Sequence, residues 1–380
     1  MSTEHNKVPD NAAGLDQEFE HSTITSQIKK VSLSYQTTIA ASLSILAVIA
    51  VVTVLYFASP ILIPITLAIY LNLLLSPIVI FFRRFRIPES ASAGALVFGV
   101  LLILVVAINY LAEPAEKWLQ QAPEALQSLQ SKLLPITEPI EQIKDVSKKV
   151  DNLTNISGDE QVQQVAFQKP TILDQMTENL PGLLASVAIV VFLSYFLLAS
   201  GDNFLRKLAE LGENFSRRRR IVTITKDVQK DLSAYLLTIS AINITLGVCV
   251  AVTMHFLGVP NAILWGTLAA LLNFVPYIGA FVMAGILTLV GIMTFDSLAD
   301  AFLLPLIYAG FSILEGQLVT PSLIGRRLSL NTPIVFVSLI FWGWIWGILG
   351  VLIAVPMLLT MKVFFDYIPS LKSLSTFMER

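Results

Sequence analysis

Polar and apolar positions in this chain alternate on the scale of a membrane rather than of a strand or a surface helix. Five stretches contain no Asp, Glu, Lys or Arg: Val31 to Phe82, Ser90 to Ala112, Asn179 to Gly201, Leu232 to Phe295 and Leu328 to Met361. A helix needs about 20 apolar residues to cross a hydrocarbon layer of about 30 Å, so each run amounts to one crossing or more. A transmembrane barrel would instead show segments of about ten residues alternating apolar and polar, which this chain lacks. The pattern predicts an all-α polytopic membrane protein with about seven to eight transmembrane helices, because helices satisfy their own backbone groups in lipid.

Ser59 and Pro60 divide the first run into a span near Thr38 to Ala58 and a second ending at about Phe82; Pro64 and Pro77 predict a kink or partial unwinding in the latter. The third span runs from Ala91 to Ala112, the fourth from Pro181 to Ser200 and the fifth from Leu232 to Leu257. The organisation is then a cytoplasmic polar tail at 1–35, transmembrane helices one to three within 36–112, and an extracytoplasmic amphipathic helical region at 113–180. The fourth transmembrane helix follows at 181–200, then a cytoplasmic basic amphipathic hairpin at 201–231, a C-terminal transmembrane bundle with helix breaks at 232–368, and a cytoplasmic tail at 369–380.

Within 113–180, Leu119, Leu126, Leu129 and Leu133, then Ile136, Ile140, Ile143, Val146 and Val150, recur at steps of three, four and seven. That is helical periodicity, and Pro135 and Pro139 predict two helices, with Trp118 as an interfacial anchor. Within 201–231, Phe204, Leu208 and Leu211 precede the run Arg217 to Arg220, a membrane-hugging pattern that contacts anionic lipid or fixes topology.

The C-terminal bundle is broken three times. Gly258-Val259-Pro260-Asn261 interrupts the longest run, and Asn273-Phe274-Val275-Pro276-Tyr277-Ile278-Gly279 interrupts it again. Gly343, Gly347 and Gly350 lie among Trp342, Trp344 and Trp346, in a run too short for two crossings and long for one. Such breaks predict discontinuous or re-entrant helices, and in secondary transporters broken helices bind substrate or ion. A weak echo between Pro60 to Pro77 and Pro260 to Pro276 is compatible with an internal repeat.

From Ala301 to Gly325 the single Asp, Glu, Lys, Arg or His is Glu315. An ionisable group at membrane depth faces a partner or a cavity, so Glu315 is either a proton- or cation-coupling group or an inner-interface residue paired with Arg326 or Arg327. For a small polar solute, Asn273, Tyr277, Asn261 and Gln317 offer hydrogen bonds, while Trp265 and Phe274 offer apolar contact. Cation–proton exchange would need a second carboxylate, for which Asp296 and Asp300 are the candidates.

Composition narrows the classes further. Of 380 residues 55% are hydrophobic and 14% charged, and mean hydropathy is +0.72. Twenty-five basic against 27 acidic residues leave a net charge of −2, which gives nucleic acid no footing. One cysteine, Cys249, excludes an internal disulfide, and His255 stands without a ligand cluster and is read as a packing residue. No catalytic, metal or cofactor site is predicted, and no nucleotide-binding loop is present. Lys and Arg concentrate at 29–30, 83–86, 206–230 and 326–327, and beyond 362, all on one side of a single threading that keeps both termini in the cytoplasm.

The strings Gly258 to Gly266, Asn273 to Gly279, Glu315 with Thr320-Pro321 and Gly325, Leu330 with Pro333, and Trp342-Gly343 through Gly347 and Gly350 to Pro356 together resemble the autoinducer-2 exporter family, the PerM-like permeases. The resemblance extends from roughly Gln36 to Ile368. It implies a multi-pass protein of the bacterial inner membrane, a homo-oligomer among membrane lipids, moving a small molecule or cation and not an enzyme. The substrate/ion path it implies comprises Glu315, Asn273, Pro276, Tyr277, Gly279, Trp265, Gln317, Gly343, Gly347 and Gly350. Export of a small polar solute such as a quorum-sensing signal, sodium–proton exchange, and a non-transporting scaffold organised by the outer helices all stay open.

Overall fold

The structure, a computed structural model, describes residues 38–151, 180–201, 207, 210, 215–324, 330–368 and 371–378; for 122, 124–151 and a few others it describes the main chain alone. Among the described residues seven helices are long and apolar enough to cross a membrane. The chain divides into two units, 1–59 and 60–380. In the first, α1 (Thr38–Phe57) has no buried residue in its most hydropathic window.

In the second unit, α2 (Ser59–Arg83) continues unbroken through Pro64 and Pro77, so the predicted unwinding is absent and its likeness to the broken 260–276 segment goes no further than composition. α3 (Glu89–Asp151) and α4 (Leu180–Ser200) pack on α2 around Leu75, Val79, Ala93, Val97 and Leu198. α3 is a single helix that runs on through Pro135 and Pro139 instead of the two helices expected. A proline costs about 3 kcal/mol in a helix interior but need not end one, and the Glu, Gln, Lys and Leu around these are good helix formers. The side chains from Leu126 to Val150 that carried the amphipathic pattern lie outside the described residues, as do Phe204, Leu208 and Leu211 of the predicted hairpin.

α5 (Phe215–Phe256) starts in the arginine run and continues as one helix into the fifth span. It turns back at 257–261 into α6 (Ala262–Leu272), where Gly247 and Gly266 face each other so closely that any Cβ would strike the opposing carbonyl. Close backbone approach through small residues is how helices gain packing where lipid supplies no hydrophobic drive. After the 273–277 turn come α7 (Ile278–Thr294) and α8 (Leu298–Leu314), capped by the Ser297 hydroxyl accepting from the Ala299 amide. Val250, Met254, Trp265, Met283, Leu287, Leu304 and Tyr308 form their shared core. At about 1.5 Å per residue α6 is about 16 Å long, roughly half a crossing.

A five-residue π-helical stretch, Glu315–Val319, follows α8 directly and leads into α9 (Thr320–Ile324). α10 (Thr332–Asp366) is nominally one helix, yet Gly347 has φ 62° and ψ −144°, and the chain reverses there. Ser338 Oγ donates to the Ala354 carbonyl at 3.0 Å, Gly343 abuts Val351, and a Cβ at Gly350 would collide with the Trp342 carbonyl. The arms, 332–346 and 348–366, are about 22 and 28 Å long, both under the hydrocarbon thickness. Both ends return to the same face: the Tyr367 hydroxyl donates to Asp227 of the arginine-rich part of α5 at 3.1 Å, and the Asn331 amide to the Met378 carbonyl of α11 (Lys372–Met378) at 3.0 Å. The third predicted break is therefore a re-entrant hairpin, not a tilted single helix.

Candidate functional site

Glu315 lies on the wall of an open groove of about 610 Å³ between α5 and the α8–π segment. The α5 side runs from Leu237 to Cys249, six to eighteen residues beyond Asp231, so the groove sits about 9 to 27 Å of helix above the nearest α5 charge and thus at membrane depth. Its walls are apolar apart from Thr238, Thr245, Cys249 and the Glu315 carboxylate, which accepts a hydrogen bond from the Thr320 hydroxyl. In an α-helix, positions 315 and 320 point about 140° apart; the wider π-helical turn brings them together. π-turns inside α-helices are frequent at functional sites, and this one places the carboxylate on the groove wall. Seven residues earlier Tyr308 is 1% exposed, its hydroxyl without a hydrogen-bond partner among the described residues.

The other expected path residues do not join it. Asn273 Nδ2 donates to Asn243 Oδ1 of α5 at 2.9 Å, tying the α6–α7 turn to a side chain that is itself fully buried. The turn consumes its own amides: Phe274 bonds to Leu271, Val275 to Leu272, Ile278 to Pro276 and Gly279 to Val275. Tyr277 holds a positive φ of 63°, costly for a bulky residue, and its ring stacks on Phe336 at 5.4 Å with its hydroxyl 3.4 Å from that of Thr332. Pro276 is half-buried in this turn, and Gly279 must be glycine because a Cβ would collide with the Leu272 carbonyl.

Trp265, 4% exposed, donates its indole N–H to the Pro260 carbonyl at 3.0 Å and packs edge-on against Trp118, 5.1 Å between ring centroids. Trp265 thus sits in the shared core, with Trp118 packed against it. Trp342 and Trp346 are likewise buried inside the α10 hairpin, while Trp344 is 68% exposed. Gln317 is exposed on the π-stretch, Asn261 is exposed in the α5–α6 turn, and Phe274 is half-buried. Of the ten expected residues, Glu315 alone lines either of the two cavities described.

Neither candidate second carboxylate reaches Glu315. Asp300 stands fifteen residues earlier on α8, about 22 Å along the helix, and Asp296 precedes that helix. Arg326 and Arg327, its other proposed partners, lie outside the described residues. His255, read as a packing residue, is exposed beside Phe256. Sequence reasoning missed Asn243 as the partner of Asn273, and named Thr320 only within a motif string, not as the partner of Glu315. Asn243 is one of three Asn in a 64-residue uncharged run, and an amide there does not announce which helix it will meet.

Seven membrane-length helices, a half-length helix and a re-entrant hairpin among the described residues define a polytopic helical membrane protein, and broken helices of this kind recur in transporters. The comparisons with known proteins agree: the sequence matches the AI-2E family of transporters over residues 45–370, and the chain belongs to that family. It is 27% identical over 311 residues to the AI-2 transport protein TqsA of Escherichia coli K12, covering 81% of this chain and 86% of that one. It is 25% identical over 325 residues to the putative transport protein YhhT of the same strain, covering 85% and 89%. A putative transport protein of Haemophilus influenzae is 25% identical over 335 residues, covering 86% and 92%. The chain is a multi-pass membrane protein of a transporter family.

Proposed function

We propose that this protein exports a small polar solute across the bacterial inner membrane, with the protonation or cation occupancy of Glu315 coupled to the movement. The observation that carries the reading is Glu315 itself: one carboxylate, bonded to Thr320 across a π-turn, on the wall of a groove at membrane depth. Ionisable side chains within membrane-spanning segments commonly mark ion or proton paths, which supports the reading. The turn at 273–277 contributes by shape, since its amides are engaged in short-range bonds. The AI-2 signal named in the E. coli relative is the first solute to test. Liposomes holding the purified protein and loaded with AI-2 are expected to release it faster than protein-free liposomes; equal rates would remove AI-2 as the solute.

A further inference from the structure

A second cavity, also about 610 Å³, opens between α2, α4, α5 and α10, and contains none of the expected path residues. Its lining differs in kind from the Glu315 groove. Asn72 and Ser76 face it from α2, Gln229 from α5 and Thr360 from α10. Gln229 Nε2 donates to Ser76 Oγ at 3.2 Å, and the hydroxyls of Tyr70 and Thr360 share a bond of 3.0 Å. Asn72 has no hydrogen-bond partner among the described residues, leaving an amide with two donors and a carbonyl acceptor turned to the cavity. At the opposite end Arg83 Nη1 meets Glu89 Oε1 at 3.1 Å. Along α2, Arg83 is eleven residues from Asn72 and thirteen from Tyr70, so the cavity descends about 16 to 20 Å from the arginine-rich face toward the bilayer middle.

Gln229 lies among Lys226, Asp227, Lys230 and Asp231 of α5, with Ser76 level with it, so this end of the cavity is at the charged face, while Asn72 and Tyr70 extend it inward; polar side chains so placed are tolerated where they line a wetted space. These are also neutral, and the one charged pair compensates itself, so the cavity has no net charge with which to hold an ion. We propose that it is a binding site for a small uncharged solute bearing several hydroxyl groups, entered from the arginine-rich face past the Arg83–Glu89 pair and held by Asn72, Gln229 and the Tyr70–Thr360 pair. The inference rests on the transport reading and divides the work: the solute binds here, while the apolar Glu315 groove, with a single carboxylate, handles the ion.

The test is cysteine modification in sealed membrane vesicles of each orientation, using the full chain with Cys249→Ser. Asn72→Cys and the milder Ser76→Cys are compared with Phe98→Cys, which is 66% exposed on the apolar part of α3. A membrane-impermeant methanethiosulfonate is expected to modify positions 72 and 76 from the arginine-rich face at least about tenfold faster than position 98, and D-ribose, an uncharged polyol probe, to slow them several-fold where gluconate does not. Equal, slow labelling at all three positions would overturn the cavity. Fast labelling that ribose leaves untouched, or that gluconate slows as well, would overturn its selectivity. Either failure alongside AI-2 flux in liposomes would sink the site and leave the transport reading standing.

Discussion

A single carboxylate was readable in the sequence because no other Asp, Glu, Lys, Arg or His lies between Ala301 and Gly325; its partner was not, because Thr320 comes within reach only when the helix widens into a π-turn. Glu315→Gln preserves size and can still accept from Thr320, so it is expected to fold and melt like the native protein while ion-coupled flux falls by roughly tenfold or more, a loss of about 1.4 kcal/mol of coupling. Thermal unfolding beside flux separates the two effects. Asn273 shows the reverse relation between sequence and structure: its position in a helix break suggested a ligand, and the fold spends it on Asn243. Asn273→Leu leaves a fully buried amide without its bond and is expected to destabilise by about 1 kcal/mol. Asn243→Leu with Asn273→Leu should cost less than the sum of the two single changes, as thermal unfolding of all three variants will show.

The same lesson holds for whole helices. Charge-free runs located the crossings, because the cost of burying charge in hydrocarbon acts on each residue separately. Breaks were harder. Pro64, Pro77, Pro135 and Pro139 all predicted interruptions, yet α2 and α3 run through them, whereas glycine-centred and Pro276-centred turns reverse the chain. The difference lies in what the neighbours allow: Gly347 supplies a positive φ, Gly350 lets the returning arm touch the Trp342 carbonyl, and the interdigitated tryptophans fill the remaining space. The hairpin has a direct check. In a Cys249→Ser background, Ser338→Cys with Ala354→Cys should be bridged by a short bifunctional thiol reagent, since the Ser338 hydroxyl bonds the Ala354 carbonyl. A straight helix would hold the two about 24 Å apart and leave them unbridged. Gly350→Leu, which forces a side chain into the Trp342 backbone, is expected to lower the yield of folded protein sharply, measured by size-exclusion chromatography.

At the scale of the molecule, periodicity and charge gave the class, and the motif strings gave the family over 45–370. They could not give the cavities, which form between helices far apart in sequence: Tyr70 meets Thr360 and Ser76 meets Gln229 only once α2, α5 and α10 have assembled. One chain thus holds a groove with Glu315 on its wall and a second cavity of mixed apolar and neutral polar lining, both lined in part by α5. In the proposed function, ion and solute movements are linked through Glu315. The most direct measurement places wild type and Glu315→Gln in liposomes with a pH-sensitive dye inside, imposes proton and sodium gradients in turn, and follows AI-2 and internal pH together. Solute-dependent proton or sodium-driven movement in the wild type, lost in Glu315→Gln, is the predicted result; gradient-driven solute flux that persists undiminished in the variant would contradict it.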